Sequence, residues 1–419
     1  MFNEIIRLKR KFIETLSPRD MKNHDGKSFT RKRGLTLDRL LTIILRCSPF
    51  SLQIRLDDFF EEIGHKEETV SKQALSKSRT NLDPGIVRES FLVTTNAILR
   101  CDDLELFKKK FRLCAVDGSE VALDNADALF RHFKGSGRNK DCVAAMASLC
   151  YDPLNNVILD GGIYPYGHGE REAARAHFAA VSELPVPKGA RNLYIFDRGY
   201  PSKELMAEMI DAGMSFLMRV RRKFSAGFDF AGKKSNVYFT LGGKIYKVRV
   251  FNVTLETGET ETLVTNVSNR YINHKDVGEL YFERWKIEVK FDSLKNKLEL
   301  ENMSGRRPVT VYQDFWAKLD IANTAAALEF ATNEAIDEKS AANGNKYAQI
   351  TNENRLLTKF TDRYLKLLGI GDADKRLDLF DELVSDIAKY PAEIKPGRSS
   401  SRDNPRKKKF CDRRKRVLR

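Results

Sequence analysis

Apolar residues recur every three or four positions through residues 1 to about 105, most clearly in LTLDRLLTIILR (35–46) and GIVRESFLVTTNAILR (85–100). That is the spacing of one buried helical face. Turn signals divide the region. Ser48-Pro49 closes one helix and Asp83-Pro84-Gly85 separates two more, because the residue before a proline is driven out of the helical conformation. Between them TVSKQALSKSRTNL (69–82) offers Thr69 or Ser71 as an N-cap, then a face bearing Lys72, Lys77 and Arg79. A small helical DNA-binding domain has this pattern, and so has any helical bundle.

From about residue 111 the period changes. FRLCAVDGSEVAL (111–123), CVAAMASLCYD (142–152) and NVILDGGIY (156–164) are short β-prone runs, the last two joined by a turn-rich Asp-Pro-Leu-Asn-Asn. EREAARAHFAAVSEL (170–184) then predicts a helix, RNLYIFD (191–197) a buried strand, SKELMAEMIDAG (202–213) a helix ended by Gly213, and SFLMRV (215–220) a fifth strand. The order β-β-β-α-β-α-β predicts a mixed α/β (α+β) fold with a ribonuclease H-like core and carboxylates at its strand ends. KIYKVRVFNVTL (244–255) alternates like a half-exposed strand, so the stretch around 221–267 reads as a β-rich insertion. One helix is predicted over about 275–298, and the chain to about 390 is helical.

The predicted organisation is a helical DNA-binding region (1–105), a first part of the core (106–220), an inserted β subdomain (221–270), and a second part of the core with a glutamate-bearing helix (271–325). A carboxyl-terminal helical region (326–394) and a basic tail (395–419) follow. Charge gives the tail its interest. The chain has 73 Lys+Arg against 58 Asp+Glu, a formal +15 that suits a polyanionic partner. Residues 395–419 alone hold 12 Lys/Arg and 2 Asp/Glu, so +10 of that excess is terminal. Such an arm reads as a solvated tail and also as a phosphate-binding one.

The six cysteines form no CxxC pair and no Cys/His cluster at zinc spacing, which indicates neither a structural zinc site nor a redox motif and predicts free buried thiols in a reducing cytoplasm. MFNEIIRLKRKFIETL lacks the apolar core of a signal peptide, and no apolar run approaches the roughly 20 residues of a membrane span. No membrane partner is expected.

Two aspartates end apolar runs. Asp117 follows Leu113-Cys114-Ala115-Val116 and precedes Gly118, and Asp197 ends NLYIF and precedes Arg198-Gly199-Tyr200-Pro201. A buried strand that delivers a carboxylate to its end is costly unless a cation meets it, although aspartate before glycine is also ordinary turn chemistry. Tyr281, Arg284, Glu288 and Lys295 stand at offsets of 3, 7 and 14 along the predicted helix, on the rim of a stripe made by Leu280, Ile287, Phe291, Leu294 and Leu298. Arg284 and Glu288 also read as a common i,i+4 ion pair. Glu170 and Glu172, near His168, read as first-turn acids favoured by a helix dipole.

Over residues 35–325 or so the chain resembles the IS-four family of bacterial insertion-sequence transposases. YFERWKIEVKFDSLK is similar to that family's Y-R-E-K signature, and AVDGS and FDRGY are similar to the motifs around its first and second catalytic aspartates. The resemblance implies a DDE transposase in which Asp117, Asp197 and Glu288 are catalytic and hold Mg2+, with Mn2+ able to replace it. It further implies that Tyr281, Arg284 and Lys295 grip phosphates, with Arg198 and Arg219 as further DNA contacts. The partners it implies are double-stranded DNA, as terminal inverted repeats and as target, and a second copy of the chain in a synaptic dimer on the bacterial nucleoid. The expected reaction is cut-and-paste transposition. The alternatives are a ribonuclease H-like metal-dependent nuclease without strand transfer, or a catalytically inactive DNA-binding relative. Some family members stack a flipped base on a tryptophan in the inserted β region. Here the only tryptophans are Trp285 and Trp316, which leaves Tyr238, Phe239, Tyr246 or Phe251 for that task.

Overall fold

A computed structural model describes residues 1–21, 28–29, 34–46, 52–135, 142–221, 224, 236–254, 258–343 and 347–394. The amino-terminal helices are α1 (Phe2–Thr15), α2 (Leu37–Leu45), α3 (Leu52–Glu62), α4 (Lys72–Asn81) and α5 (Pro84–Leu99). Next come β1 (Phe111–Ala122), α6 (Asp127–Phe133), β2 (Ala144–Asp152), β3 (Val157–Pro165), α7 (Glu170–Ser182), β4 (Arg191–Phe196), α8 (Lys203–Asp211) and β5 (Ser215–Val220). The strands β6 (Asn236–Leu241), β7 (Lys244–Thr254) and β8 (Thr260–Thr265) lead to α9 (Val277–Phe282), α10 (Trp285–Asn296) and α11 (Pro308–Asn343). The two-residue strands β9 (Gln349–Ile350) and β10 (Ala392–Glu393) pair with one another and bracket α12 (Glu353–Gly369) and α13 (Ala373–Ala388). The predicted order of core elements stands, with α6 added between the first two strands.

The chain forms two compact units. One comprises Leu99–Glu120 and Met146–Ser293 and holds the sheet; the other comprises Met1–Ile98, Val121–Ala145 and the residues from Leu294 onward. The sheet has eight strands in the order β3-β2-β1-β4-β5-β8-β7-β6, and β1, β4 and β5 are mutually parallel. A parallel centre buried on both faces gives near-continuous apolar strands rather than alternating ones. In β4, Leu193 and Ile195 join a core with Leu113, Leu217, Leu263, Val277 and Leu280, so α9 covers that face. Tyr194 and Phe196 point the other way, where Phe178 of α7 meets their rings edge-on at 4.8 and 6.1 Å. The mixed α/β architecture, with parallel strands at the centre of this strand order, is that of a ribonuclease H-like core. The β-rich stretch after β5 continues the same sheet, since β8 pairs antiparallel with β5.

The helical unit is organised on α11, whose buried positions run all round its first six turns and include Gln313, Asp314, Lys318, Asp320 and Asn323. Each polar group there is matched, as burial requires. Asp320 meets Lys9 of α1 at 2.6 Å and accepts hydrogen bonds from Ser90 (2.7 Å) and Thr94 (2.6 Å) of α5. Arg79 of α4 pairs with Asp314 at 2.8 Å and also donates to Gln313 and Ser304. Arg79 therefore belongs to the interior, not to a basic face, whereas Lys72 and Lys77 are exposed. Ser71 caps α4 by accepting from the Ala74 amide, and Asp83 accepts from the Gly85 amide at the start of α5. Ser48-Pro49 and the basic tail lie outside the described residues.

Candidate active site

The parallel pairing of β1 with β4 ends at Val116 opposite Phe196. Asp117 and Asp197 are the next residue of each strand, so register alone sets the two acids side by side at one sheet edge, on strands spaced about 4.8 Å apart. β1 continues past Asp117 to Ala122, and Gly118 does not have a positive φ. Asp117-Gly118 is therefore strand and not the turn that aspartate before glycine commonly makes. A β-carbon at Gly118 would make ordinary contacts, 3.4 Å from Met146 Sδ and 3.6 Å from Glu170 Oε1, which places Glu170 above this position. The Gly118 amide donates to Asp117 Oδ1 at 2.9 Å, and the Gly199 amide donates to Asp197 Oδ1 at 2.8 Å.

Glu288 approaches from α10 through Arg284. The guanidinium donates from Nη2 to Glu288 Oε1 at 2.8 Å, the i,i+4 pair expected, and sets Nη1 3.8 Å from Asp117 Oδ2. With Arg284 between them, the oxygens of Asp117, Asp197 and Glu288 are not all within 4.8 Å of one another. Burial pushes the Asp117 carboxyl up to about 7, against the pull of the Gly118 amide and Arg284, and the charges of Asp197 and Glu288 add to the rise. Arg284 is buried too, which works against its charge, but Tyr281, Glu288 and Asp117 more than offset that and hold it above its ordinary value. Burial likewise lifts the Tyr281 phenol to about 12.

The four signature residues do not lie on one helix. Tyr281 is in α9, Arg284 is in the joint between α9 and α10, and Glu288 and Lys295 are in α10. The joint tightens locally, with amides of Arg284, Lys286 and Ile287 bonding the carbonyls three residues back at 3.1 Å. Such i→i−3 turns advance about 120° per residue, so a uniform 100° wheel fails across them. The tightening brings Arg284 over the Tyr281 ring, 5.6 Å from its centroid. Lys295 is half-buried near the end of α10. Arg198 is exposed on the loop after Asp197. Arg219, on β5, pairs with Glu261 of β8 at 2.9 Å.

Two residues of this site were not predicted as members. Glu170, the first residue of α7, does not only serve the helix end, since its carboxylate lies over Gly118 and Gly199. Burial first, and then the charge of Asp197, raises its pKa. Tyr200 is fully buried with a hydroxyl that has no hydrogen-bond partner. Its phenol is held well above its ordinary value by burial and by the charges of Asp117, Glu170 and Asp197. Glu172, by contrast, is the exposed first-turn acid expected, 3.7 Å from His168. Arg171 locks the loop after Asp197 to α7 by donating to the carbonyls of Tyr200 (2.7 Å), Pro201 (3.2 Å) and Gly199 (3.4 Å).

Behind Asp117 runs a buried chain. Asp160 of β3 meets His177 Nδ1 of α7 at 2.7 Å, His177 Nε2 meets Ser148 Oγ of β2 at 2.9 Å, and Ser148 donates to the Asp117 carbonyl at 3.3 Å. The residue types are those of a hydrolase triad, but all three are buried, which leaves no access for a substrate. The chain ties three elements to the backbone of one acid. Of the aromatic residues expected to stack on a base, Phe239, Tyr246 and Phe251 are buried, because β6–β8 are part of the main sheet; only Tyr238 is exposed, with Lys247 6.0 Å from its ring centroid.

The family model described as a transposase DDE domain matches residues 108–323, more than half of the chain, and the chain belongs to that family. It is a DDE transposase, of a family whose chemistry on DNA depends on divalent metal ions. A cryo-EM structure of a piggyBac transposase synaptic complex with hairpin DNA is similar at 9% identity and a TM-score of 0.40, covering 95% of this chain and 77% of that one. No curated protein matches the sequence. No described helix is long and apolar enough to cross a membrane.

Proposed function

We propose that the chain is a cut-and-paste transposase of the IS-four type, with Asp117, Asp197 and Glu288 as its catalytic carboxylates. The observation that carries this reading is the register of β1 and β4, which sets Asp117 beside Asp197, with Arg284 joining Asp117 to Glu288. The donor set fits a hard divalent cation. The acids offer only oxygen ligands, and one cationic side chain, Arg284, stands among the three carboxylates. Magnesium is the proposed ion, with manganese as a substitute. Bound there, it supplies activation of an attacking water or 3′-hydroxyl and stabilisation of the leaving oxygen.

The chain's own residues orient the reaction. The Gly118 and Gly199 amides hold one oxygen of each aspartate, and the other oxygen of Asp117 faces Arg284. Arg284 neutralises Asp117 and Glu288 and would turn toward a phosphate as the cation takes over their charge. Tyr281 and Lys295 flank it along α9 and α10 as further phosphate contacts, and Arg198 serves the same purpose from its exposed loop. Arg219, engaged with Glu261, contributes through its position beside Tyr281. The helical region 1–105, with Lys72 and Lys77 exposed, and the tail 395–419 bind duplex DNA, including the terminal inverted repeats, on the nucleoid. Two copies form the synaptic complex.

The test uses supercoiled plasmid carrying the DNA ends that flank the coding sequence. Wild type is expected to nick, excise and join in Mg2+, whereas Asp117→Ala, Asp197→Ala and Glu288→Ala retain end binding and lose cleavage by about three orders of magnitude or more. Cleavage that survives all three substitutions contradicts the assignment. Cleavage without joining identifies a nuclease.

A further inference from the structure

Glu170 opens α7 inside the same compact unit as Asp117, Asp197 and Glu288. A β-carbon at Gly199 would stand 3.1 Å from Glu170 Oε2 and 3.1 Å from Asp197 Oδ1, so these two oxygens are separated by no more than twice that distance. The other oxygen, Oε1, lies over Gly118, the residue after Asp117, 3.6 Å from where a β-carbon would stand. Neither glycine has a positive φ, so the backbone would accept any residue at both positions. At Gly199 it is the two carboxylates that crowd a β-carbon, since each would have to give by a few tenths of an ångström. Arg171, next in sequence, directs its guanidinium to backbone carbonyls, not to Glu170.

Tyr200 is an independent pointer to a ligand. Its side chain is fully buried, its hydroxyl has no partner, and it lies within electrostatic reach of Asp117, Glu170 and Asp197. A buried hydroxyl is seldom left unmatched unless water, an ion or substrate completes it. The placement of Glu170 is also fixed from behind: His177, two turns along α7, is tied through Ser148 to the Asp117 carbonyl.

We propose that Glu170 is a fourth carboxylate of the divalent-cation site, acting between Asp117 on β1 and Asp197 after β4, and that Gly199 is kept without a side chain to admit it. The proposal rests on the reading of Asp117, Asp197 and Glu288 as cation ligands. Like charges this close are held together at a cost that an oxygen-liganded divalent cation removes.

Calorimetric titration of the DNA-free full chain with Mn2+ tests it. Glu170→Gln is expected to weaken binding roughly 10- to 100-fold, Glu172→Gln on the same helical turn to leave it unchanged, and Asp197→Asn to abolish it. The metal-free melting temperature of Glu170→Gln should equal or exceed that of wild type, because a repulsion with Asp197 is removed. Glu170→Asp, which withdraws the oxygens by one methylene, supplies a second variant and is expected to weaken binding as well. If both Glu170 variants bind Mn2+ like wild type while Asp197→Asn does not, the fourth ligand is ruled out and the three-acid reading stands. If Asp197→Asn also binds like wild type, both are wrong.

Discussion

Single side chains in this protein are set by what stands beside them. Gly199→Ala would press a β-carbon between Asp197 and Glu170, and is expected to lower Mg2+-dependent cleavage about tenfold or more while the melting temperature holds; unchanged cleavage rates would show that the two carboxylates yield. His177→Leu removes the hydrogen bonds that His177 makes with buried Asp160 and Ser148 and should cost about 1–3 kcal/mol in a denaturant melt. Asp152 gives a pH test well away from the site. Burial lifts its carboxyl to about 6 from an ordinary 3.8, against the hydrogen bonds from Asn155 and Leu154. A raised acid favours its neutral form, so its contribution is full below about pH 4 and is lost as pH rises through about 6. The urea stability of wild type relative to Asp152→Asn should therefore fall across that window, by about 3 kcal/mol at most. A difference that is flat with pH contradicts the shift. Asp117 and Asp197 were legible in the sequence because each ends an apolar run, and strand register does the rest. Glu170 was not, because nothing local separates an acid that serves a helix end from one that also leans over two neighbouring strand ends.

Helices and strands were legible where one face is apolar, and less so where the backbone changes pitch. Ser71, Pro84 and Gly213 mark element ends as turn chemistry predicts, yet the joint between α9 and α10 leaves no proline or glycine to announce it. Its cause is tertiary, since Arg284 turns toward Asp117 as well as Glu288. Arg79 fails for a related reason: a basic residue on an otherwise polar helix reads as surface until α11 supplies Asp314 and Gln313. The same helix makes a stability prediction. Lys9→Met strands the Asp320 charge in the interior and is expected to cost about 3–5 kcal/mol, and the double substitution Lys9→Met with Asp320→Leu should regain much of it. Equal losses in the single and double variants, read from denaturant midpoints, would show that the pair is not coupled.

At the scale of the molecule, the sheet order and its parallel centre follow from alternating apolar runs and helices, whereas the continuity of β6–β8 with β5 does not, because pairing across a long intervening segment leaves no periodic trace. Charge acts at this scale as well. Deleting residues 395–419 removes +10 and is expected to make the logarithmic salt dependence of duplex binding shallower by several units, at about 0.9 for each phosphate that the tail neutralises; an unchanged slope would show the tail to be a bystander. The central claim is that the carboxylates of Asp117 on β1, Asp197 after β4 and Glu288 on α10 act on DNA through divalent cations. Its most direct measurement is cleavage of an end duplex whose scissile 3′-bridging oxygen is replaced by sulfur, because Mn2+ accepts sulfur far better than Mg2+. Wild type is expected to cleave the oxygen substrate in either ion and the sulfur substrate only in Mn2+, while Asp197→Ala cleaves neither. Equal cleavage of the sulfur substrate in Mg2+ and Mn2+, or cleavage by Asp197→Ala, would contradict it.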